Sequence, residues 1–333
     1  MERFASLGFT EFHDVSGRLS VADLYRRSKS RCGIYLFVFA DNLCYIGKAK
    51  DVVRRFAQHR KNHSDIIRMS FQPVPIEKLD NIEQTLIHQS ENMGLKLTNK
   101  AHVSHIMGET DLDYILSPAE QELWLENPNT IFTIDNPVND VNQRIRYQRN
   151  FLKFQLYPQF NTVVELLKTY VQYCVPVPAR TVYSFWSLSC LPSTNAASFP
   201  RYAVMNINAM ETFVIGYEKP VKDSFFCFIN ISKSVFNKYY PRQKNFYFKY
   251  PFASIRESGY KTAGADQLQI QVRSPTQAAR ILKNRAILEG ARLMNLRLMR
   301  KGASLQSKHH CFDLSDQVLL ANHTNLSSNL SPF

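Results

Sequence analysis

The chain lacks paired cysteines, since its six cysteines are scattered and no two form a C-x-x-C motif. This spacing argues against a zinc ribbon and against a disulfide framework, so we expect reduced thiols. The chain also lacks any apolar run of the roughly 18 residues needed to span a bilayer. Its first ten residues carry no apolar segment of the kind found in signal peptides. We therefore expect a cytoplasmic protein without a membrane partner.

The chain has fewer acidic than basic residues, with 28 Asp and Glu and 41 Lys and Arg, which gives a formal net charge of +13. With 44% hydrophobic and 12% aromatic residues, the chain is not a disordered basic tail. The excess lies in residues 25–68, with eleven Lys and Arg against three Asp and Glu, and in residues 241–301, with thirteen against three. A single charge run is usually a solvated face. Two such segments favour two contact surfaces for one polyanion, and hence a folded nucleic-acid-binding protein.

The length of 333 residues predicts two domains, at roughly 100 to 200 residues per domain. We expect an α+β chain in which a small N-terminal domain over 1–125 holds a three-stranded antiparallel sheet flanked by helices. Residues 126–143 are rich in Asn and Pro and indicate a linker. A mixed α/β domain would follow over 144–302, and the Ser- and Asn-rich residues 303–333 favour a disordered tail.

Three strands are predicted in the N-terminal domain, at 33–39, 43–47 and 66–71. The Asp41-Asn42 turn joins the first two, and Asp51 can cap a helix that runs to about His59. Asp80 followed three residues later by Glu83 has the spacing of a capping box and predicts a helix to about residue 92.

The C-terminal domain is predicted to begin with a helical stretch over 144–173, broken at Pro158. A β-rich region follows to about residue 252. The Ser274-Pro275 start signal then predicts the longest helix of the chain, ending at Gly302.

An ordered set of residues in the N-terminal domain carries the strongest functional signal: Gly33-Ile34-Tyr35, Tyr45-Ile46-Gly47, Arg55, Glu83 and Asn99. Over residues 31 to about 100 this set resembles the GIY-YIG nuclease family, in which both tripeptides lie on adjacent strands of a small sheet. Each residue alone has a plain structural interpretation, as a strand aromatic, a solvated arginine or a capping glutamate. Their joint occurrence in order favours the family.

The resemblance implies phosphodiester hydrolysis, with Tyr35 as general base and Tyr45 positioning the attacking water or the phosphate. The residue types suit that chemistry, because Arg55 offers a permanently charged fork to a phosphate and Glu83 is a hard oxygen ligand. A single carboxylate in a basic neighbourhood favours one Mg²⁺ or Mn²⁺ per active site. If Tyr35 and Tyr45 share a site they must lie on one face of the sheet, which requires a hairpin loop with an odd number of residues or a bulge.

A histidine of this helix is a further catalytic candidate. His59 lies one helical turn after Arg55 and is preferred over His63, although an exposed histidine on a basic helix is usually inert. Supporting roles are expected for Gly33, Gly47, Lys48 and Asn99, with Lys48 also a candidate phosphate contact.

Double-stranded DNA is the expected partner, and a homodimer is one option for the assembly. The candidate nucleic-acid contacts are basic residues of the two positively charged segments: Lys50, Arg54, Arg60, Lys61, Arg280, Lys283 and Arg292. Because a small catalytic fold has little surface for sequence readout, we expect the C-terminal domain to supply affinity or target selection.

The leading interpretation is an endonuclease of restriction, phage-defence or mobile-element type. A structure-specific repair nuclease is the alternative within the same class. The alternative from another class is a DNA-binding protein that keeps the nuclease fold without cutting.

Overall fold

Two units, Met1–Gly108 and Glu109–Phe333, make up the chain in its computed structural model. The structure describes residues 2–25, 30–128, 139–219 and 224–327, the last range with side chains to Leu319. Within these ranges no helix is long and apolar enough to cross a membrane.

The first unit contains an antiparallel sheet of four strands in the order β1-β4-β2-β3. The three predicted strands are confirmed, and a fourth, of two residues, pairs with the outer side of the third. The elements in chain order are α1 (Glu2–Ala5), β1 (His13–Asp14), β2 (Gly33–Phe39), β3 (Cys44–Ala49), α2 (Val52–Arg60), β4 (Ile66–Pro73) and α3 (Leu79–Asn92).

Strand β2 is buried along its whole length because both faces of the sheet are covered. Ile34, Leu36 and Val38 pack in one apolar cluster with Leu86 and Ile87 of α3. The alternate side chains, Tyr35, Phe37 and Phe39, pack in a second cluster with Val52 and Phe56 of α2. The two-residue period of a strand thus sends the tyrosine of the first motif toward α2.

The hairpin between β2 and β3 places both motif tyrosines on the α2 face of the sheet. The register pairs Phe37 with Tyr45 and Tyr35 with Gly47. The loop has three residues, because the Phe39 N–H donates to the Leu43 carbonyl oxygen at 2.9 Å. Asn42 closes it at φ 64°, the left-handed conformation that such loops require. The expectation of an odd loop and a shared face is confirmed.

The second unit is built on an antiparallel sheet of six strands in the order β5-β6-β7-β8-β10-β9. Helices α6 and α11 pack on one face of it, where Tyr170 stacks on Phe213 with ring centroids 4.6 Å apart. The elements are α4 (Pro118–Glu126), α5 (Val141–Gln155), α6 (Phe160–Cys174), α7 (Pro178–Thr181), β5 (Trp186–Cys190), β6 (Arg201–Ile207), β7 (Met210–Glu218), β8 (Ser224–Ile231), α8 (Lys233–Tyr239), α9 (Gln243–Lys249), β9 (Ser254–Arg256), β10 (Leu268–Val272), α10 (Pro275–Ile281), α11 (Arg285–Arg300) and α12 (Phe312–Ser327).

Two predicted boundaries differ from the structure. The first unit ends at Gly108, not at residue 125, because Leu112 and Trp124 are buried in the core of the second unit. The predicted linker over 126–143 ends earlier than expected, since Asp140 caps α5 through the Gln143 N–H. Residues 129–138 of that linker lie outside the described ranges.

The predicted helix from Ser274 to Gly302 is two helices. The side chain of Asn284 accepts hydrogen bonds from the N–H groups of Ala286 and Ile287 and so starts α11 after the end of α10. A helix-start signal within a continuous apolar pattern can therefore begin a new helix, although the pattern alone predicts a single one.

The prediction of a disordered tail from residue 303 is wrong for the described part of that segment. The Cys311 N–H donates to the Leu188 carbonyl oxygen of β5 at 2.8 Å, and the Leu188 N–H donates to Nδ1 of His310 at 3.1 Å. Phe312 and Leu314 are fully buried at the start of α12. The few apolar residues of a polar segment are enough to fix it when all of them are buried.

Candidate active site

The hydroxyl group of Tyr35 is the centre of a three-residue constellation between β2 and α2. It forms a hydrogen bond with Nε2 of His59 at 3.0 Å and accepts one from Nε of Arg55 at 3.2 Å. Asp51 fixes the start of α2 by accepting from the N–H groups of Val53 and Arg54. Because Arg55 and His59 are one turn apart, the same face of α2 carries both toward Tyr35.

Burial keeps both partners of the Tyr35–His59 hydrogen bond uncharged. Tyr35 has no exposed surface, and this burial raises the pKa of its hydroxyl far above the ordinary value. The pKa of His59 is lowered to about 4, first by burial and then by the charges of Arg55 and His63. At neutral pH the phenol and the imidazole are therefore both uncharged, and the ring nitrogen of His59 that carries the proton sets the direction of their hydrogen bond.

Of the two candidate histidines, His59 is the one that the fold brings to the tyrosines. Its ring centroid lies 5.1 Å from that of Tyr45. His63 packs instead against Phe39, with ring centroids 5.5 Å apart, and lies 6.1 Å from His59.

The second motif supplies a half-buried tyrosine and a glycine. The rings of Tyr45 and Tyr35 are stacked, with centroids 6.1 Å apart. A Cβ atom at Gly47 would lie 2.4 Å from the Tyr35 hydroxyl oxygen, so only glycine leaves room for that ring. Gly33 is equally confined, since a Cβ there would meet the Gln72 carbonyl oxygen of β4 at 2.0 Å. Neighbouring atoms thus approach both motif positions so closely that only glycine fits there.

Strand β3 is an edge strand, and side chains from α3 and the segment after it complete its hydrogen bonding. The Ile46 N–H donates to Oδ1 of Asn99 at 3.1 Å, and Nδ2 of Asn99 donates to the Ile46 carbonyl oxygen at 2.7 Å. Two residues further on, the Lys48 N–H donates to Oε1 of Glu83 at 3.2 Å. Asn99 and Glu83 thus act as substitutes for a neighbouring strand and are held at the end of β3 that carries the second motif.

The side chain of Lys48 binds two carboxylates of α3. Its ammonium group lies 2.7 Å from Oε2 of Glu83 and also forms an ion pair with Asp80. Burial opposes the charge of Lys48, but hydrogen bonds with Asp80 and Glu83 outweigh it and raise the pKa of the lysine. The expectation that Lys48 contacts phosphate conflicts with this arrangement.

Asp80 is a site residue that sequence reasoning assigned to another role. Helix α3 begins at Leu79 after Lys78, and no side chain caps its first turn, so the predicted capping box of Asp80 and Glu83 is wrong. Their three-residue spacing instead puts both carboxylates on one face of α3, and this was the signal that could have identified the pair.

The donor set suits a single hard cation. Mg²⁺ in proteins keeps several waters and binds through one or two carboxylates, which Glu83 and Asp80 offer. The ammonium of Lys48 forms ion pairs with both of these carboxylates. Among the described residues, no group of three or more His, Cys, Asp or Glu side chains could hold a metal ion.

A pocket of about 240 Å³ lies beside the constellation, at the start of α2. It brings together two of the predicted contacts, Lys50 and Arg54, with the catalytic candidate Arg55 and with Lys48, Asp51 and Gln58. Gln58 accepts from Nη1 of Arg55 at 3.3 Å and was missed because a glutamine in a basic helix carries no sequence signal. Lys61 is exposed after the end of α2 and does not line this pocket.

Arg60 has a structural role, contrary to the prediction that it contacts DNA. Its Nη2 donates to the carbonyl oxygens of Val15 at 2.6 Å and Ile66 at 3.0 Å, and its Nη1 donates to that of Ser64 at 2.8 Å. The guanidinium also lies over the ring of Phe56. A side chain that joins three chain segments in this way does not present its charge to a ligand.

In the second unit, the predicted contacts separate by burial. Arg280 and Lys283 are exposed around the junction of α10 and α11. Arg292 is only 7% exposed and donates to the Tyr173 carbonyl oxygen at 3.4 Å, and this burial argues against its predicted DNA contact. Positions on α11 that face α6 cannot reach a ligand.

Comparisons of the chain with protein-family models, with curated proteins and with solved structures found no match.

Proposed function

We propose that this protein is an endonuclease that hydrolyses DNA phosphodiester bonds in the first unit, with one Mg²⁺ or Mn²⁺ per active site. The observation that carries the proposal is the binding of the Tyr35 hydroxyl by both Arg55 and His59, next to the strand edge held by Glu83. The same residues carry the resemblance to the GIY-YIG family. We therefore propose Tyr35, Tyr45, Arg55, His59 and Glu83 as the catalytic residues.

Arg55 would bind the scissile phosphate. It is exposed, lines the basic pocket, and has a pKa raised first by its hydrogen bond to Tyr35, so its charge is permanent. Lys50 and Arg54 in the same pocket would bind flanking phosphates. A cation lowers KM by binding the substrate, and it raises kcat to the extent that it binds the pentacovalent transition state more tightly than the substrate.

His59 would receive the proton of the attacking water, directly or through Tyr35. The direct role as general base that the family implies for Tyr35 is opposed by its burial and its raised pKa. A relay removes the difficulty when His59 carries its proton on Nδ1, because Tyr35 can then pass its own proton to Nε2 of His59 as it receives another. A bound phosphate offsets the charge of Arg55, one cause of the low pKa of His59, and so makes the imidazole a stronger base in the complex.

Glu83 and Asp80 would hold the metal ion. When bound, a divalent cation polarises the phosphoryl oxygen and acidifies a bound water. Within the chain, Glu83 keeps its second function as acceptor for the Lys48 N–H, which fixes its carboxylate relative to β3.

One observation favours a second function, a DNA-binding protein that does not cut. Both oxygens of Glu83 already accept from Lys48, through its N–H and its ammonium group. If metal does not displace the ammonium, the basic pocket still binds phosphate but hydrolysis does not follow.

Within the nuclease class we place the protein among restriction, phage-defence or mobile-element enzymes acting on double-stranded DNA in the cytoplasm, with structure-specific repair as the alternative. A homodimer would allow both strands to be cut. Selection of the target would fall to the second unit, because the pocket at α2 contacts phosphates, which carry no sequence information.

Two substitutions separate catalysis from binding. Arg55→Ala should lower the rate of plasmid cleavage in Mg²⁺ by about 10² to 10³-fold and also weaken duplex affinity. Tyr35→Phe deletes one hydroxyl group and should lower the rate while affinity stays unchanged. Arg3→Ala, an exposed arginine of α1, is the matched control and should change neither quantity. Wild-type cleavage rates in both site variants would refute the proposed site.

A further inference from the structure

Two phenylalanines of the second unit project into solvent. Phe248 is 83% exposed and Phe252 is 75% exposed. Phe248 lies in α9, where Phe246 is fully buried, and Phe252 follows the end of this helix. Because positions two apart lie on nearly opposite sides of a helix, α9 anchors one ring in the core and directs the next one outward.

The exposed rings stand on a rigid support. Phe246 packs against Phe236 and Tyr250, with ring centroids 5.2 and 4.8 Å apart. Asn284 at the start of α11 donates from Nδ2 to the hydroxyl oxygens of Tyr240 at 2.8 Å and Tyr250 at 3.1 Å. Helices α8, α9 and α11 are thereby fastened together, so a ligand on this support meets a preformed surface.

Positive charge lies on the same support as the two rings. Lys244 lies one turn before Phe248 on the same side of α9. Nζ of Lys249 and Cζ of Arg280 lie over the Tyr250 ring at 5.7 and 5.6 Å. Six exposed basic residues belong to this support, and none forms an ion pair with a carboxylate in the described part of the chain: Lys238, Arg242, Lys244, Lys249, Arg280 and Lys283.

Two cations next to this support are neutralised by carboxylates. Lys233 pairs with Glu257, and Arg285 pairs with Glu289. The six exposed cations of this support, in contrast, have no carboxylate partner in the described part of the chain. We call Phe248, Phe252 and the six unpaired cations the aromatic-basic face.

We propose that the aromatic-basic face binds unpaired bases of a nucleic acid strand. A phenyl ring has no donor or acceptor and cannot read base edges in a groove, but it stacks on any base face that is accessible. Base faces are accessible in single strands and at unpaired or kinked sites, and the surrounding lysines and arginines suit the adjacent phosphates. This inference deepens the proposed function, because it names DNA with an unpaired segment as the substrate class. The choice of DNA as the nucleic acid rests on the proposed function, whereas the binding of unpaired bases does not.

The test measures binding of the full-length chain carrying Glu83→Gln, which prevents cleavage. A labelled single strand of about 20 nucleotides and a duplex of the same sequence are titrated by fluorescence anisotropy. The single strand should bind more tightly, and Phe248→Ala should weaken that binding by about tenfold. Leu156→Ala, which removes a side chain that is 86% exposed elsewhere in the second unit, should have no effect.

The charge component is tested separately. Lys244→Gln should weaken binding of the single strand and reduce the slope of log Kd against log salt by about 0.7, the value for one released counterion. Lys153→Gln, the same change at an exposed lysine of α5, is the matched control.

Three results would overturn the inference: equal affinity of Phe248→Ala and its parent for the single strand, equal effects of both lysine variants, or binding to vesicles of anionic lipid without binding to the single strand. Failure of the proposed function is a different result, in which the chain with Glu83 intact binds the single strand but cleaves no DNA.

Discussion

Replacing Gly47 by alanine inserts a methyl group into the tyrosine site. The added Cβ would lie 2.4 Å from the Tyr35 hydroxyl oxygen, 2.5 Å from its Cζ and 2.8 Å from Cε1 of Tyr45. Ordinary contacts between such atoms are about 3.5 Å, so the Tyr35 ring must move by about 1 Å. That shift breaks the hydrogen bonds of its hydroxyl group with His59 and Arg55.

The expected consequences follow from this displacement. Overpacking should lower the free energy of unfolding by about 1 to 3 kcal/mol. Misplacement of a catalytic group by about 1 Å should lower the rate of DNA cleavage by about 10²-fold. The rate is measured under single-turnover conditions in Mg²⁺, and the fold is checked by urea denaturation.

Gly259→Ala is the matched control, because a Cβ at that position meets no atom within 4 Å. It should leave both the stability and the rate unchanged. If Gly47→Ala is folded and cleaves at the wild-type rate, the tyrosine pair is not part of the cleavage site.

Three further predictions concern the charge and hydrogen bonding of the site. His59 should titrate with a midpoint of about 4 in histidine NMR, and a midpoint near 6.5 would contradict the structure. Because the pKa of His59 in the folded chain lies below the unfolded value of roughly 6.5, its contribution to stability is complete above pH 6.5 and is lost as the pH falls toward 4. Lys48→Met should tighten Mn²⁺ binding, measured by calorimetry, by about tenfold or ~1.4 kcal/mol, whereas the control Lys50→Met should not. Equal Mn²⁺ affinities of Lys48→Met and the wild-type chain would show that the ammonium does not compete with the metal. Asn99→Ala should lower the free energy of unfolding in urea by about 2 to 4 kcal/mol, because two backbone groups of Ile46 lose their partners, and a loss below about 1 kcal/mol would argue against the bridging role.

Local rules predicted the part of the site that lies on neighbouring elements. The alternation of β2 and the need for Tyr35 and Tyr45 to share a face required an odd loop, and Asn42 supplies its left-handed residue. The single turn between Arg55 and His59 fixed their common face in the same way. These relations depend on strand and helix periodicity, which can be read along the chain.

Contacts between distant segments could not be read in this way. Arg60 resembles its basic neighbours in sequence, and only the approach of Val15 and Ile66 gives its guanidinium acceptors. Arg292 is buried by the packing of α11 against α6, and Asp80 meets Lys48 only after β3 and α3 have packed. In each case the partner is selected by tertiary structure.

The C-terminal segment shows the limit of composition as a guide. Its average polarity predicted disorder, yet Phe312, Leu314 and Val318 are fully buried in the second unit. Burial of specific positions, together with the hydrogen bonds of His310 and Cys311 to Leu188, decides the outcome.

The cleavage rate of Glu83→Gln tests the central claim most directly. Glutamine keeps an acceptor for the Lys48 N–H and so preserves the strand edge, but it removes the charge that would hold a divalent ion. With plasmid DNA and Mg²⁺, Glu83→Gln should cleave more slowly than the wild-type chain by about 10³-fold or more. The control is Glu77→Gln, a change at an exposed glutamate just before α3, and it should cleave at the wild-type rate. Cleavage by Glu83→Gln at a rate comparable to wild type would show that this carboxylate does not serve catalysis.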